Sequence, residues 1–195
     1  MQYNISEFNE LLKNRRSVGV AQYTGEKIAE SIVRQILENA NLAPTHRLTE
    51  PWRFKVFVGK GLEKLFAKMA EIYQAHTAPE KFSQEKYDKF FEQHQKVSHV
   101  IAICMHRDTQ NRVPEIEEIC AVACAVQNIY LSVTAYDLAG YWSTGGGTFT
   151  QEMKTFLGLA AQDHCLGFFY LGCKAKDYPA TRRSPIEDKT EWVHE

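Results

Sequence analysis

A surplus of positive charge, a long apolar run and a paired-cysteine motif are all missing from this sequence. Its 23 lysines and arginines are balanced by 24 acidic residues, for a formal net charge of -1. It therefore lacks the basic excess that nonspecific nucleic-acid binding relies on, and no nucleic-acid partner is expected. No stretch reaches the roughly 18 uninterrupted apolar residues of a membrane span, and the polar start MQYNISEFNELLKNRRS has no apolar centre of the signal-peptide kind. The expectation is a cytoplasmic chain with no membrane partner. The five cysteines, Cys104, Cys120, Cys124, Cys165 and Cys173, are odd in number and nowhere spaced CxxC. They read as buried free thiols. Cys120 and Cys124 sit four apart on one helical face, but with no neighbouring histidine or second cysteine pair they do not make a metal site.

The usual signatures of side-chain catalysis are absent too. Seven histidines (His46, His76, His94, His99, His106, His164 and His194) are scattered without HExxH or HxH spacing. There is no GxSxG elbow, no Walker A pattern and no GxGxxG following a strand. The run GGG at 145–147 is nearest to a phosphate loop, yet it has no lysine. No residue is assigned as nucleophile, acid or base, and no metal is expected.

What is present is a single-domain core. With 195 residues, 44% of them hydrophobic, the chain is long enough for one substantial core and short for two. Ile5, Phe8, Leu11 and Leu12 form a helical stripe over 5–15 that ends in two arginines. After Thr24, GEKIAESIVRQILENANLA repeats apolar residues at three and four, an amphipathic helix closed before Pro44. TEPWRFKVFVG reads as a strand with Phe54, Val56 and Val58 on one face. Helical spacing resumes from Leu62 to Tyr73, and residues 74–96 are polar enough to form a surface excursion or lid. VSHVIAICM is a buried strand. EIEEICAVACAVQNIYLSVTAYDLAG is a helix apolar on nearly every face, as in a core or a subunit interface. GYWST reads as a strand, a glycine loop opens a helix capped near Thr150, and CLGFFYLGC is a last strand. The tail, 176–195, reads as an extended arm. Helices alternating with strands imply an α/β or α+β sandwich.

Four stretches carry candidate chemistry. In NRRSVGV, residues 14–20, cations suit a helix carboxyl end, but adjacent guanidiniums are also a grip for phosphate. From these residues alone both readings stand. APTHRLTEPWRF, 43–54, is a polar loop between a helix and a strand that could present amides and hydroxyls to a flat ligand, or simply turn, with Trp52 as a core anchor. GYWSTGGG, 140–147, and ATRRSP, 180–185, complete the set.

In that order and spacing, together with FLGLAAQDHCLGFFYLG, these stretches resemble the nitroreductase family of flavoproteins, especially its compact members, over residues 7 to 192. The resemblance implies an α+β fold, a three-layer α/β/α sandwich with a mostly antiparallel sheet. It also implies an intertwined homodimer with one FMN in each of two interface clefts. By that match Arg15, Arg16 and Ser17 grip the phosphate and ribityl chain. Pro44, Thr45 and His46 come from the other subunit to the ring or ribityl. Trp142, Ser143, Thr144, Gly145 and Gly146 line the pocket near the ring. Arg182 or Arg183 lies near the phosphate. Relatives usually read Asn and Gln where this chain has Leu48 and Glu50.

The implied activity is FMN-dependent oxidation of NADH or NADPH, with electrons passed to a nitroaromatic, quinone or activated-alkene acceptor. The cofactor carries the hydride in such an enzyme, which suits a chain without a catalytic triad. A flavin-binding dimer without turnover is the alternative, motivated by Leu48 and Glu50.

Overall fold

The computed structural model describes residues 3–145, 147–179 and 181–195. Four strands form one antiparallel sheet in the order β1-β2-β4-β3. They are β1 (Trp52–Phe57), β2 (His99–Met105), β3 (Ala139–Ser143) and β4 (His164–Gly172). The central pair is β2 and β4, whose side chains alternate between two cores. Val100, Ala102, Cys104, Phe168 and Tyr170 face α3 (Lys60–His76) and α6 (Gln151–Phe156). Ile101, Ile103, Met105, Phe169 and Leu171 face α2 (Glu30–Ala40) and α5 (Glu115–Ala135). Helices on both faces of an antiparallel sheet make a three-layer α/β/α sandwich. Leu65, Phe66 and Met69 of α3 are fully enclosed, each contributing on the order of 1.5–3 kcal/mol by burial.

The boundaries depart from the sequence reading where tertiary partners take over. The α2 helix begins at Glu30, not just after Thr24, because the intervening backbone donors are claimed elsewhere. Thr24 N–H bonds the carbonyl of Cys173 at 3.0 Å, and Ile28 N–H bonds Ser98 Oγ at 2.7 Å. The region 74–96 is largely helical. After Pro79–Lys81, α4 (Gln84–Lys96) lies against α3 through an aromatic cluster in which Tyr73 stacks on Phe82 at 5.5 Å and meets Phe90 at 6.0 Å. None of the α4 residues is buried.

The α5 helix is long and apolar enough, by length and composition alone, to cross a membrane. Here it is the core helix of one layer, with Ala121, Val122, Ala125, Val126, Ile129 and Val133 packed toward the sheet. Its other side leaves Ile116, Cys120 and Cys124 exposed. This corrects the expectation that every thiol is interior: residues four apart share one face, and that face points away from the sheet. Cys104 and Cys165 are buried and Cys173 is half-buried.

The helix α1 (Ile5–Asn14) has no buried residue. Arm residues from Thr181 on are exposed, with one short helical turn at Glu187–Lys189.

Candidate functional site

The stretch NRRSVGV turns the chain from α1 into the body of the molecule. Asn4 starts α1 by accepting Ser6 N–H at 3.0 Å, an ordinary amino-terminal cap, and Arg15 ends it. The two arginines then separate. Arg16 turns its guanidinium onto backbone, with Nε donating to the carbonyl of Pro179 at 2.9 Å and Nη1 to those of Arg15 at 2.6 Å and Lys13. It closes the helix end and fastens the root of the arm. Arg15 is half-buried, its guanidinium 5.1 Å from the centre of the Tyr130 ring. Among the described residues it has no carboxylate or carbonyl partner.

Ser17 continues this corner. Its hydroxyl lies 3.2 Å from the Tyr130 hydroxyl, which accepts Trp142 N–H at 2.7 Å. Tyr130 in turn packs edge-on against Phe169, with centroids 4.8 Å apart, and Val18 N–H bonds the carbonyl of Gly140 at 3.1 Å. One phenol on α5 therefore joins the RRS corner to β3. Sequence reasoning missed Tyr130. Its signal was a hydroxylated aromatic between the aliphatic residues Ile129 and Leu131 of a largely apolar helix, since a buried Tyr hydroxyl needs a partner.

The β3 end and the glycine loop complete this side. Trp142 is half-buried, and its indole nitrogen is enclosed with no partner among the described residues. The indole lies along Gly167 of β4, where φ is +129° and a Cβ would fall 2.5 Å from Trp142 Nε1 and 2.6 Å from the Ser143 carbonyl. Ser143 Oγ accepts Gly145 N–H at 3.2 Å, and Thr148 Oγ1 donates to the Gly145 carbonyl at 2.6 Å. Thr144 and Gly145 are exposed; Gly146 lies outside the described residues. Thr150 caps α6 by accepting Met153 N–H at 3.2 Å.

Pro44, Thr45 and His46 form a separate group. Thr45 Oγ1 accepts Glu50 N–H at 3.2 Å and lies 3.1 Å from the Thr49 hydroxyl. Trp52 anchors the loop by donating to Asn41 Oδ1 at 2.8 Å. Between these fixings Arg47, Leu48 and Glu50 adopt left-handed φ values of 53°, 53° and 42°. Each such non-glycine residue costs about 1–3 kcal/mol, so strain is concentrated in this loop. Asn tolerates that conformation better than Leu does. His46 Nδ1 meets Glu117 Oε2 at 2.5 Å. With Ile116, Cys120 and Cys124 the loop borders an open groove of about 390 Å³.

The two groups do not meet within one chain. One contacts α5 at Glu117 and the other at Tyr130, and the thirteen intervening residue steps amount to about 20 Å of helix. Arg182 and Arg183 are exposed on the arm and make no side-chain hydrogen bond or ion pair among the described residues.

The sandwich, the RRS corner and the strand-end glycine loop define a class of protein that comparison identifies directly. The model of the Nitroreductase family matches residues 12–173, and the chain belongs to that family. It is 28% identical over 166 residues to "Putative NAD(P)H nitroreductase YdjA" of Escherichia coli (strain K12), covering 84% of this chain and 86% of that one. Among solved structures, a nitroreductase-like family protein from Bacillus cereus superposes with a TM-score of 0.82 at 23% identity, covering 100% of this chain and 98% of the other. The FMN-dependent nitroreductase NfnB from Mycobacterium smegmatis, solved with NADPH, superposes with a TM-score of 0.75 at 16% identity, covering 98% and 100%.

Proposed function

We propose that the protein is an FMN-dependent oxidoreductase that takes electrons from NADH or NADPH and delivers them to a nitroaromatic, quinone or activated alkene by a ping-pong sequence. The observation that carries this reading is Arg15, a half-buried cation stacked on Tyr130 with no anionic partner among the described residues. Leaving such a charge unpaired is costly, and a phosphate is the group its planar donors match. Ser17 adds a hydroxyl beside it, 3.2 Å from that of Tyr130. This donor set fits FMN.

In this reading Arg15 and Ser17 hold the phosphate end, with Arg182 or Arg183 supplied by the arm. Arg16 positions the corner through the Pro179 carbonyl. Trp142, Ser143, Thr144, Gly145 and Gly146 form the wall at the ring end. Pro44, Thr45 and His46 belong to the partner's site, which answers why they lie some 20 Å along α5 from Arg15 in their own chain. A homodimer is also the natural cover for exposed apolar residues on three elements: Ile5, Phe8 and Leu12 of α1, Ile116 of α5, and Trp192 and Val193 of the arm. Bound FMN supplies hydride transfer. The chain's own residues bind and orient it and exclude water from the ring.

The test is turnover. Purified protein supplied with FMN should oxidise NADH or NADPH only with an acceptor present, giving parallel lines in double-reciprocal plots at different acceptor concentrations. Intersecting lines would remove the ping-pong sequence, and absence of FMN binding would remove the function. Leu48, exposed and held at φ 53° at a position where the family resemblance implies Asn, favours a second reading, a flavin-binding dimer without turnover. Bound FMN that neither nucleotide reduces under anaerobic conditions is its signature.

A further inference from the structure

Two of the interior thiols lie directly opposite one another on the two central strands of the sheet. Cys104 of β2 and Cys165 of β4 are ladder partners and share the face covered by α3 and α6. A β-bulge makes this so. Ile103 pairs with Gly167, and the next residue, Cys104, pairs with Cys165, leaving Leu166 as the additional residue. In an unbulged ladder Leu166 would oppose Cys104, and Cys165 would oppose Met105 on the other face of the sheet. The bulge thus turns Cys165 toward Cys104.

Opposite residues of an antiparallel pair have Cα atoms about 4.5–5.5 Å apart, inside the ~4.4–6.8 Å span of a disulfide. The Cys165 thiol donates to the Gly167 carbonyl at 3.8 Å. The neighbouring Cys104 thiol holds Cys165 below the ordinary thiol range, and the Cys165 thiol, with burial, pushes Cys104 up. Access differs in the same sense. Cys104 has no exposed surface, whereas Cys165 retains 6% near the strand end.

We propose that Cys104 and Cys165 form an oxidisable dithiol, a modification site whose oxidant is hydrogen peroxide, with Cys165 attacked first and Cys104 resolving. The Cys165 sulfur takes one peroxide oxygen as the O–O bond breaks. The other oxygen leaves as water with the thiol proton, and Cys165 becomes a sulfenic acid. The Cys104 sulfur then displaces the sulfenic hydroxyl, which leaves as water with the Cys104 proton as the S–S bond forms. Two thiols lose two electrons and the peroxide is reduced to two waters. Neither step uses the flavin site, so the proposal stands independently of the proposed activity.

The experiment treats the reduced, full-length protein in native buffer with hydrogen peroxide, alkylates the remaining thiols and maps the non-reduced digest by mass spectrometry. The expected product is one Cys104–Cys165 linked peptide, lighter than its reduced parts by two hydrogens and reversed by dithiothreitol. Cys104→Ala should halt the sequence at a Cys165 sulfenic acid that dimedone traps. If Cys104 and Cys165 stay fully alkylatable while Cys120 or Cys124 oxidises, the proposal is overturned. The wild-type mapping decides this whether or not the alanine variant folds.

Discussion

Arg15 and Arg16 are neighbours in sequence with opposite commitments. Arg16 is bound to the carbonyls of Lys13, Arg15 and Pro179, and Arg15 lies over Tyr130 with its donors uncommitted among the described residues. Arg15→Gln should therefore weaken FMN binding at least tenfold with little change in melting temperature. Arg16→Ala should lower stability by about 1 kcal/mol, through partly exposed charge-assisted bonds. FMN titration and thermal unfolding of both variants check the pair, and an Arg16 variant that loses FMN without losing stability would reverse the assignment. The sequence marked RRS as a candidate grip but not which arginine grips, because the deciding partners, Tyr130 and Pro179, are more than a hundred residues away. His99 was legible only as one of seven scattered histidines. It is buried beside Ser98 Oγ at 2.9 Å, with Nε2 unpartnered among the described residues. Burial lowers its pKa, Lys27 lowers it further and Glu30 opposes. A base whose folded pKa lies below its unfolded value near 6.5 contributes stability that is full above about pH 6.5 and lost as pH falls below it. Denaturant unfolding at a series of pH values should show a steeper decline from about pH 6.5 to 5 in the wild type than in His99→Gln. Equal slopes would dismiss this role.

Elements whose own residues carry a strong apolar period or a cap were readable without knowledge of their partners. The α5 and α3 helices, the buried strand β2 and the Thr150 cap of α6 are of this kind. The start of α2 was not, since its backbone donors are diverted to Cys173 and Ser98, and neither was the β4 bulge, which exists only through the register with β2. Tyr130 shows the same limit between elements: it fastens α5 to β3 through the Trp142 N–H and to the RRS corner through Ser17. Tyr130→Phe should cost about 1–2 kcal/mol, the usual loss on orphaning a partly buried donor, and should loosen FMN as Arg15 loses its stacking neighbour's fixed position. Chemical denaturation and FMN titration would detect both, and an unchanged stability would mean that water replaces the phenol. Gly147, with φ +73°, sits where a Cβ would collide with Ile72 of α3. Gly147→Ala should therefore destabilise by about 2–3 kcal/mol from left-handed strain and overpacking together. A smaller loss would show that the turn before α6 can relax.

At the scale of the whole molecule, the candidate site is divided. Arg15, Ser17 and Trp142 gather at one part of α5, and Pro44, Thr45 and His46 at another. Composition and periodicity could not reveal that division; it follows only once α5 is seen to carry both contacts on its length. If two chains build each cleft, an Arg15→Gln chain paired with a His46→Ala chain yields one intact site and one doubly altered site. Half the FMN should then bind with wild-type affinity, whereas sites built within single chains would all be impaired. The most direct measurement for the function is an anaerobic absorbance titration of the FMN-loaded protein with NADPH and, separately, NADH. The expected result is one flavin per chain, with its visible absorbance bleached stoichiometrically by at least one of the two nucleotides and restored by a quinone or nitroaromatic acceptor. A protein that remains colourless after incubation with FMN, or whose bound flavin neither nucleotide bleaches, would contradict it.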